Sequence, residues 1–145
     1  WTDDGKNPPW DSLPADRRAD LAQRMAVYAG MVTGMDRNIG RLLADLRASG
    51  QFDNTLIFFL SDNGACWEWD PLGFDESSSP KNILHTGDDL RTIGAPASYV
   101  SYGSAWANAG NTPWRSYKHF SHEGGIRTPA CSAIALTMKL GPFPM

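Results

Sequence analysis

No apolar run in this 145-residue chain approaches the roughly 20 residues that a membrane-spanning helix needs, so no transmembrane segment is expected. No block of basic residues stands out either. With 13 Lys and Arg against 16 Asp and Glu, the net charge is -3, which offers nucleic acid or an anionic membrane no basic face. Cysteine is scarce. Cys66 and Cys131 lie far apart with no CxxC spacing, leaving open a disulfide in an oxidising compartment or two buried thiols. An initiator methionine, a signal-peptide pattern and an internal repeat are all lacking, and the chain stops abruptly in GPFPM. It therefore reads as a fragment whose compartment and oligomeric state stay open.

What is present suits one soluble globular domain: 41% hydrophobic residues with a mean hydropathy of -0.38. Residues 1–15 (WTDDGKNPPWDSLPA) are rich in Pro, Asp and Gly and read as a loop. From Asp16, the apolar residues Leu21, Met25, Tyr28, Val32, Met35, Ile39, Leu42 and Leu46 recur in steps of four and three. That spacing predicts a helix over about 16–49 with a single apolar stripe. Pro14 and Asp16 suit its first turn and Gly50 its stop. The stripe also fits a heptad, so a coiled coil is the rival. Gly30, Gly34 and Gly40 each cost an isolated helix about 1 kcal/mol relative to alanine; they suggest instead the close approach of a second element, a helix packed on a sheet.

The run Thr55–Leu60 is short, apolar and without alternation. It predicts a strand over about 55–60, buried on both faces as in a parallel α/β sheet. Residues 65–113 lose periodicity yet hold Trp67, Trp69, Tyr99, Tyr102 and Trp106. A loop of that length signals function or disorder, and the aromatics argue against disorder, so it is expected to fold over a site. Beyond it, a short helix near Pro113, a turn at Gly124-Gly125 and a strand reaching about 138 are expected. The fold class is α/β, an incomplete portion of a mixed, largely parallel sheet flanked by helices.

Chemistry concentrates at two places. In LIFFLSDNG the strand ends in Asp62-Asn63-Gly64. Ligands gather beyond the carboxyl ends of strands in open α/β sheets, and a carboxylate with an amide oxygen suits Ca²⁺ or Mg²⁺ rather than zinc. Adjacent strand residues face opposite ways, so both reach one ion only if the chain leaves the pleat, which Gly64 permits. An ordinary Asn-Gly turn remains the other reading. In YKHFSHEGGIR, Lys118 is a compact charge able to meet an anion beside a Gly-Gly turn, or else a solvated lysine. His119 and His122 would share one side of a helix, but lack partners at zinc-ligand spacing. Arg127 reads as a brace for the turn. The pairs Asp3-Asp4 and Asp88-Asp89 read as solvated.

Three stretches, MAVYAGMVTGMDRNIGRLLADL, DNTLIFFLSDNGA and PWRSYKHFSHEGGIRTPA, together resemble the sulfatase family of the alkaline-phosphatase-like superfamily, over about Leu21 to Ala130. The long aromatic insert is similar to that of its arylsulfatase branch. The resemblance implies that Asp62 and Asn63 help hold a divalent cation, calcium with magnesium as the alternative, and that Lys118 contacts the sulfate group. It implies a sulfuric ester hydrolase acting on aryl or carbohydrate sulfate esters, and a periplasmic or secreted tendency. No role carries over to His85, His119 or His122. The family's formylglycine arises from a C/S-x-P-S-R motif that neither Cys66-Trp67-Glu68 nor Cys131-Ser132-Ala133 matches, and its early Asp-Asp metal pair is missing too. Both are expected before Trp1, so this chain by itself is expected to be inactive. After Ala130 the family pattern is followed only loosely. A phosphoester or phosphonate hydrolase of the same superfamily, and a non-catalytic module gripping carbohydrate or a partner, stand as alternatives.

Overall fold

The computed structural model describes residues 7–67, 71–76, 81–127 and 130–134, the last of these as backbone alone. Asp3-Asp4, Trp69, the Cys131 side chain and the strand expected to continue to 138 lie outside them. The elements are helix α1 (Ala15–Ala48), strand β1 (Leu56–Leu60), helix α2 (Gly103–Gly110), the short helix α3 (Glu123–Ile126) and strand β2 (Ala130–Ile134). The chain divides into two compact units. One comprises residues 1–31 and 62–128, the other residues 32–61 and 129–145.

In the first unit, the segment between β1 and α2 folds onto the opening turns of α1. The reason is electrostatic. Arg24 is buried, and its five N–H donors all find acceptors. Nε donates to Asp20 Oδ2 at 3.1 Å, while Nη1 donates to the carbonyls of Phe74 and Ser101 at 3.1 and 3.0 Å. Nη2 donates to the Asp75 carboxylate at 2.9 Å and to Ile83 O at 3.0 Å. Asp20 and Asp75 are buried beside it. His85 Nδ1 lies 3.1 Å from Asp20 Oδ1, and Arg17 adds a bond to Asp20 Oδ2 at 3.1 Å. A desolvated guanidinium is tolerable only when paired in this way. Apolar packing follows from it. Leu21, Phe74, Ile93, Ala107 and Tyr117 form the buried core. Trp106 Nε1 donates to Leu21 O at 2.9 Å, and the Tyr28 and Tyr102 rings stack at 4.9 Å. A bridge between Asp75 and Val100 keeps two arms of the segment antiparallel. The Asp88-Asp89 pair is exposed, as read from its polar surroundings.

The second unit leaves β1 less covered than the sequence suggested. β1 pairs with β2 antiparallel, from Leu56 opposite Ile134 to Leu60 opposite Ala130, and no parallel pairing occurs among the described residues. Nor is β1 buried on both faces, since Phe58 is 66% and Phe59 45% exposed. An apolar run records the side chains a strand carries, not the layers that cover it. The helix ends where Gly50 was read as a stop. With φ of 70°, Gly50 closes the helix as its N–H meets Arg47 O and the Gln51 N–H meets Leu46 O, the paired bonds of a Schellman motif. Gly30, Gly34 and Gly40 meet nothing within 4 Å of a built Cβ. No element among the described residues makes the close approach that those glycines suggested, and Met35 and Leu42 of the stripe are exposed. The short helix also lies earlier than expected, ending at Gly110 ahead of Pro113.

Removing Asp75 strands a buried guanidinium charge. Asp75→Ala is expected to destabilise the chain by about 3–5 kcal/mol, against at most about 1 kcal/mol for Glu76→Ala, whose bond to Lys81 is exposed; urea unfolding checks both. Burial, then the nearby Tyr28 and Cys66, pushes the Tyr102 phenol above its ordinary value of 10.0. The folded chain therefore keeps this proton where the unfolded chain releases it, and stability is expected to fall as pH rises beyond about 10. Tyr102→Phe should flatten that part of the curve of melting temperature against pH.

Candidate functional site

Within the first unit, the turn after Asp62-Asn63 and the Lys118 loop, more than fifty residues apart in sequence, are joined by main-chain bonds. The Gly64 N–H donates to Gly125 O at 3.0 Å, and the Lys118 N–H donates to Ala65 O at 3.0 Å. Gly64 and Gly124 are needed for closeness rather than for a special φ. A Cβ on Gly64 would lie 1.8 Å from Gly124 O, and one on Gly124 would lie 2.2 Å from Arg115 O. Side chains of this size cannot enter such a contact without moving the backbone.

Two asparagines that the sequence did not single out complete the seam. Asn111 accepts from the Ala65 N–H at 3.0 Å through Oδ1, and through Nδ2 donates to Ser116 O at 2.8 Å and Gly124 O at 2.5 Å. Asn108 Oδ1 accepts from the Ser116 N–H at 3.2 Å. Neither lies in a recognisable motif. What marks them is position, at the end of a helix, where amide side chains commonly bond to backbone. Ser116 and His119 both take positive φ, 65° and 81°, so Lys118 sits in a backbone segment that the seam holds in a sparsely populated conformation.

The seam thus sets the chain at Ala65, two residues after Asn63, against the Lys118 backbone. Asp62 is exposed, while Asn63 and Lys118 are half-buried. No hydrogen bond or ion pair within the described residues engages the Asp62 carboxylate or the Lys118 ammonium. His119 and His122 do not share a helical face, because residues 119–122 form turns. The His119 ring meets Trp67 edge-on and the His122 ring stacks on Phe120, each at 6.1 Å. Arg127 pairs with Glu123 and covers the Trp114 ring at 4.8 Å, a bracing arrangement. Beyond Cys66, a cavity of about 280 Å³ opens between Val27, Tyr28, Met31, Phe74 and Tyr102.

Among the described residues no group of three His, Cys, Asp or Glu side chains could hold a metal. Asp62 and Asn63 are hard oxygen donors, which fits part of a calcium shell of six to eight oxygens but does not fill one.

Asp62 and Asn63 thus carry hard oxygen donors on a turn that main-chain bonds tie to the loop carrying the Lys118 ammonium. The Sulfatase family model matches residues 2–132. The chain is 39% identical over 121 residues to an arylsulfatase of Klebsiella aerogenes, covering 82% of this chain and 25% of that protein. It is 39% identical over 122 residues to an uncharacterized sulfatase of Schizosaccharomyces pombe, covering 83% and 22%. A multifunctional alkaline phosphatase superfamily protein of Trinickia caryophylli shares 44% over 45 residues, 31% of this chain and 9% of that protein. The chain belongs to the sulfatase family, and with it to the alkaline-phosphatase-like α/β fold. It spans about a quarter of the length of the Klebsiella and Schizosaccharomyces sulfatases.

The glycine contrast is testable. Gly64→Ala is expected to lower stability by about 1–3 kcal/mol through the clash with Gly124, while Gly34→Ala, with open space around it, should raise stability by up to about 1 kcal/mol. Thermal unfolding of the two variants reads both signs.

Proposed function

We propose that this chain contributes one edge of the active site of a sulfuric ester hydrolase acting on aryl or carbohydrate sulfate esters. Asp62 and Asn63 offer oxygens to a divalent cation, calcium in preference to magnesium. Lys118 holds a sulfate oxygen of the substrate. The observation that supports this reading is the seam itself: it holds the chain just after Asp62 and Asn63 against the Lys118 backbone, and no partner of the Asp62 carboxylate or the Lys118 ammonium occurs among the described residues. A solvated turn and an unrelated surface lysine would need no such construction.

Calcium, when bound, supplies positive charge that offsets the charge on sulfate oxygens. The chain's own share is positional. Asp62 contributes a carboxylate and Asn63 an amide oxygen, both acceptors suited to a hard cation. Lys118 is a compact ammonium on a loop that the main chain immobilises, so little reorganisation is needed when an oxyanion arrives. The formylglycine nucleophile of this reading has no counterpart in the present sequence, which lacks a C/S-x-P-S-R motif. A phosphoester or phosphonate hydrolase is the second reading, favoured by the 44% identity over 45 residues to the alkaline phosphatase superfamily protein.

The purified chain is expected to bind Ca²⁺ with a millimolar-range affinity, on the order of the weakest calcium sites, and to lose at least about tenfold in Asp62→Ala, the loss of roughly 1.4 kcal/mol. Equal Ca²⁺ affinity in the variant would overturn the metal assignment. Turnover of an aryl sulfate by the chain alone would overturn the placement of the nucleophile.

A further inference from the structure

We infer that Asn111 is the positioning residue that fixes the Asp62-Asn63 turn against the Lys118 loop. Its side chain bonds to both stretches, the one after Asp62-Asn63 and the one that carries Lys118. Oδ1 takes the Ala65 N–H, three residues after Asp62, and Nδ2 takes Ser116 O, two residues before Lys118, together with Gly124 O. These bonds use one amide in opposite directions, its oxygen accepting from the stretch after Asp62-Asn63 and both of its N–H groups donating toward the loop. The Lys118 N–H then closes the circuit on Ala65 O. Asn111 is itself tied to the end of α2, since its N–H meets Ala107 O at 3.2 Å and Asn108 O at 3.3 Å. The buried Ala107 anchors that end in the core. A rigid element therefore carries the amide, and the amide sets the spacing of the two loops. Leucine or alanine could fill the space but could not bond both loops. Aspartate could accept from Ala65 but would face Ser116 O and Gly124 O with no proton to give.

The functional half of this inference rests on the reading of Asp62, Asn63 and Lys118 above, and the geometric half does not. Amide hydrogen exchange of the full chain separates them. In Asn111→Ala, the Ala65 and Lys118 amides are expected to exchange about tenfold faster, as a lost buried hydrogen bond allows, while amides in residues 20–28 of α1 keep their protection. Thr112→Ala removes a neighbouring bond to Ala109 O at 2.6 Å without touching either loop, and should match the parent chain. Asn111→Asp serves as the second variant: it is expected to retain protection at Ala65 and lose it at Lys118. Unchanged exchange at Lys118 in both Asn111 variants overturns the inference. So does loss of protection throughout α1 in both, because Asn111 is then a general brace of the fold. Inorganic sulfate is the functional probe. A positioning role predicts about tenfold weaker sulfate binding in folded Asn111→Ala, which a purely structural role would leave unchanged. If the parent chain binds no sulfate, the Lys118 assignment fails while the exchange data still decide whether Asn111 couples the loops.

Discussion

Arg24 is the constraint on which the first unit depends. A guanidinium buried on a helix must be matched donor for donor, and the matching groups come from Asp20 on the same helix and from Phe74, Asp75, Ile83 and Ser101 far along the chain. Hydrophobic contact alone would not specify how an irregular, aromatic segment lies on a helix. One cation with five directed bonds does. Burying such a pair adds little net stability, but leaving any partner out is costly, so the network selects one arrangement over others.

The site inherits its order from that arrangement. The segment fixed by Arg24 leads through Ser101 into α2, whose end presents Asn111, and Asn111 meets both the turn after β1 and the loop before α3. Glycines at 64, 124 and 125 let main chains touch where any side chain would hold them apart. The charged groups of the site play no part in this construction. Asp62 and Lys118 are carried by it, and on the proposed reading they would serve a cation and an oxyanion.

How much of this could be read in advance depended on range. The long helix was legible because an apolar residue every three or four positions, bounded by Pro14 and Gly50, is a local signal. The closeness of the Asp-Asn-Gly turn to the lysine loop was not, because it rests on main-chain bonds between segments more than fifty residues apart. The two-sided burial of β1 was misread, since LIFFL is equally apolar whether layers cover it or not. The glycines of α1 were read as contact points where the described residues make none. The buried Arg24 network was not foreseen: Asp20 stands four residues before Arg24, but Asp75, fifty-one residues on, gave no sign of completing it. Asn108 and Asn111 were invisible for the same reason: an amide's partners are set by tertiary structure, and its neighbours in sequence do not name them.

The placement of a cation at the end of β1 is tested most directly by a crystal structure of the chain grown with calcium. A calcium ion is expected within about 2.3–2.6 Å of an Asp62 carboxylate oxygen and the Asn63 amide oxygen, with water completing its shell. Calcium bound elsewhere, or an Asp62-Asn63 turn left bare at saturating calcium, would contradict it.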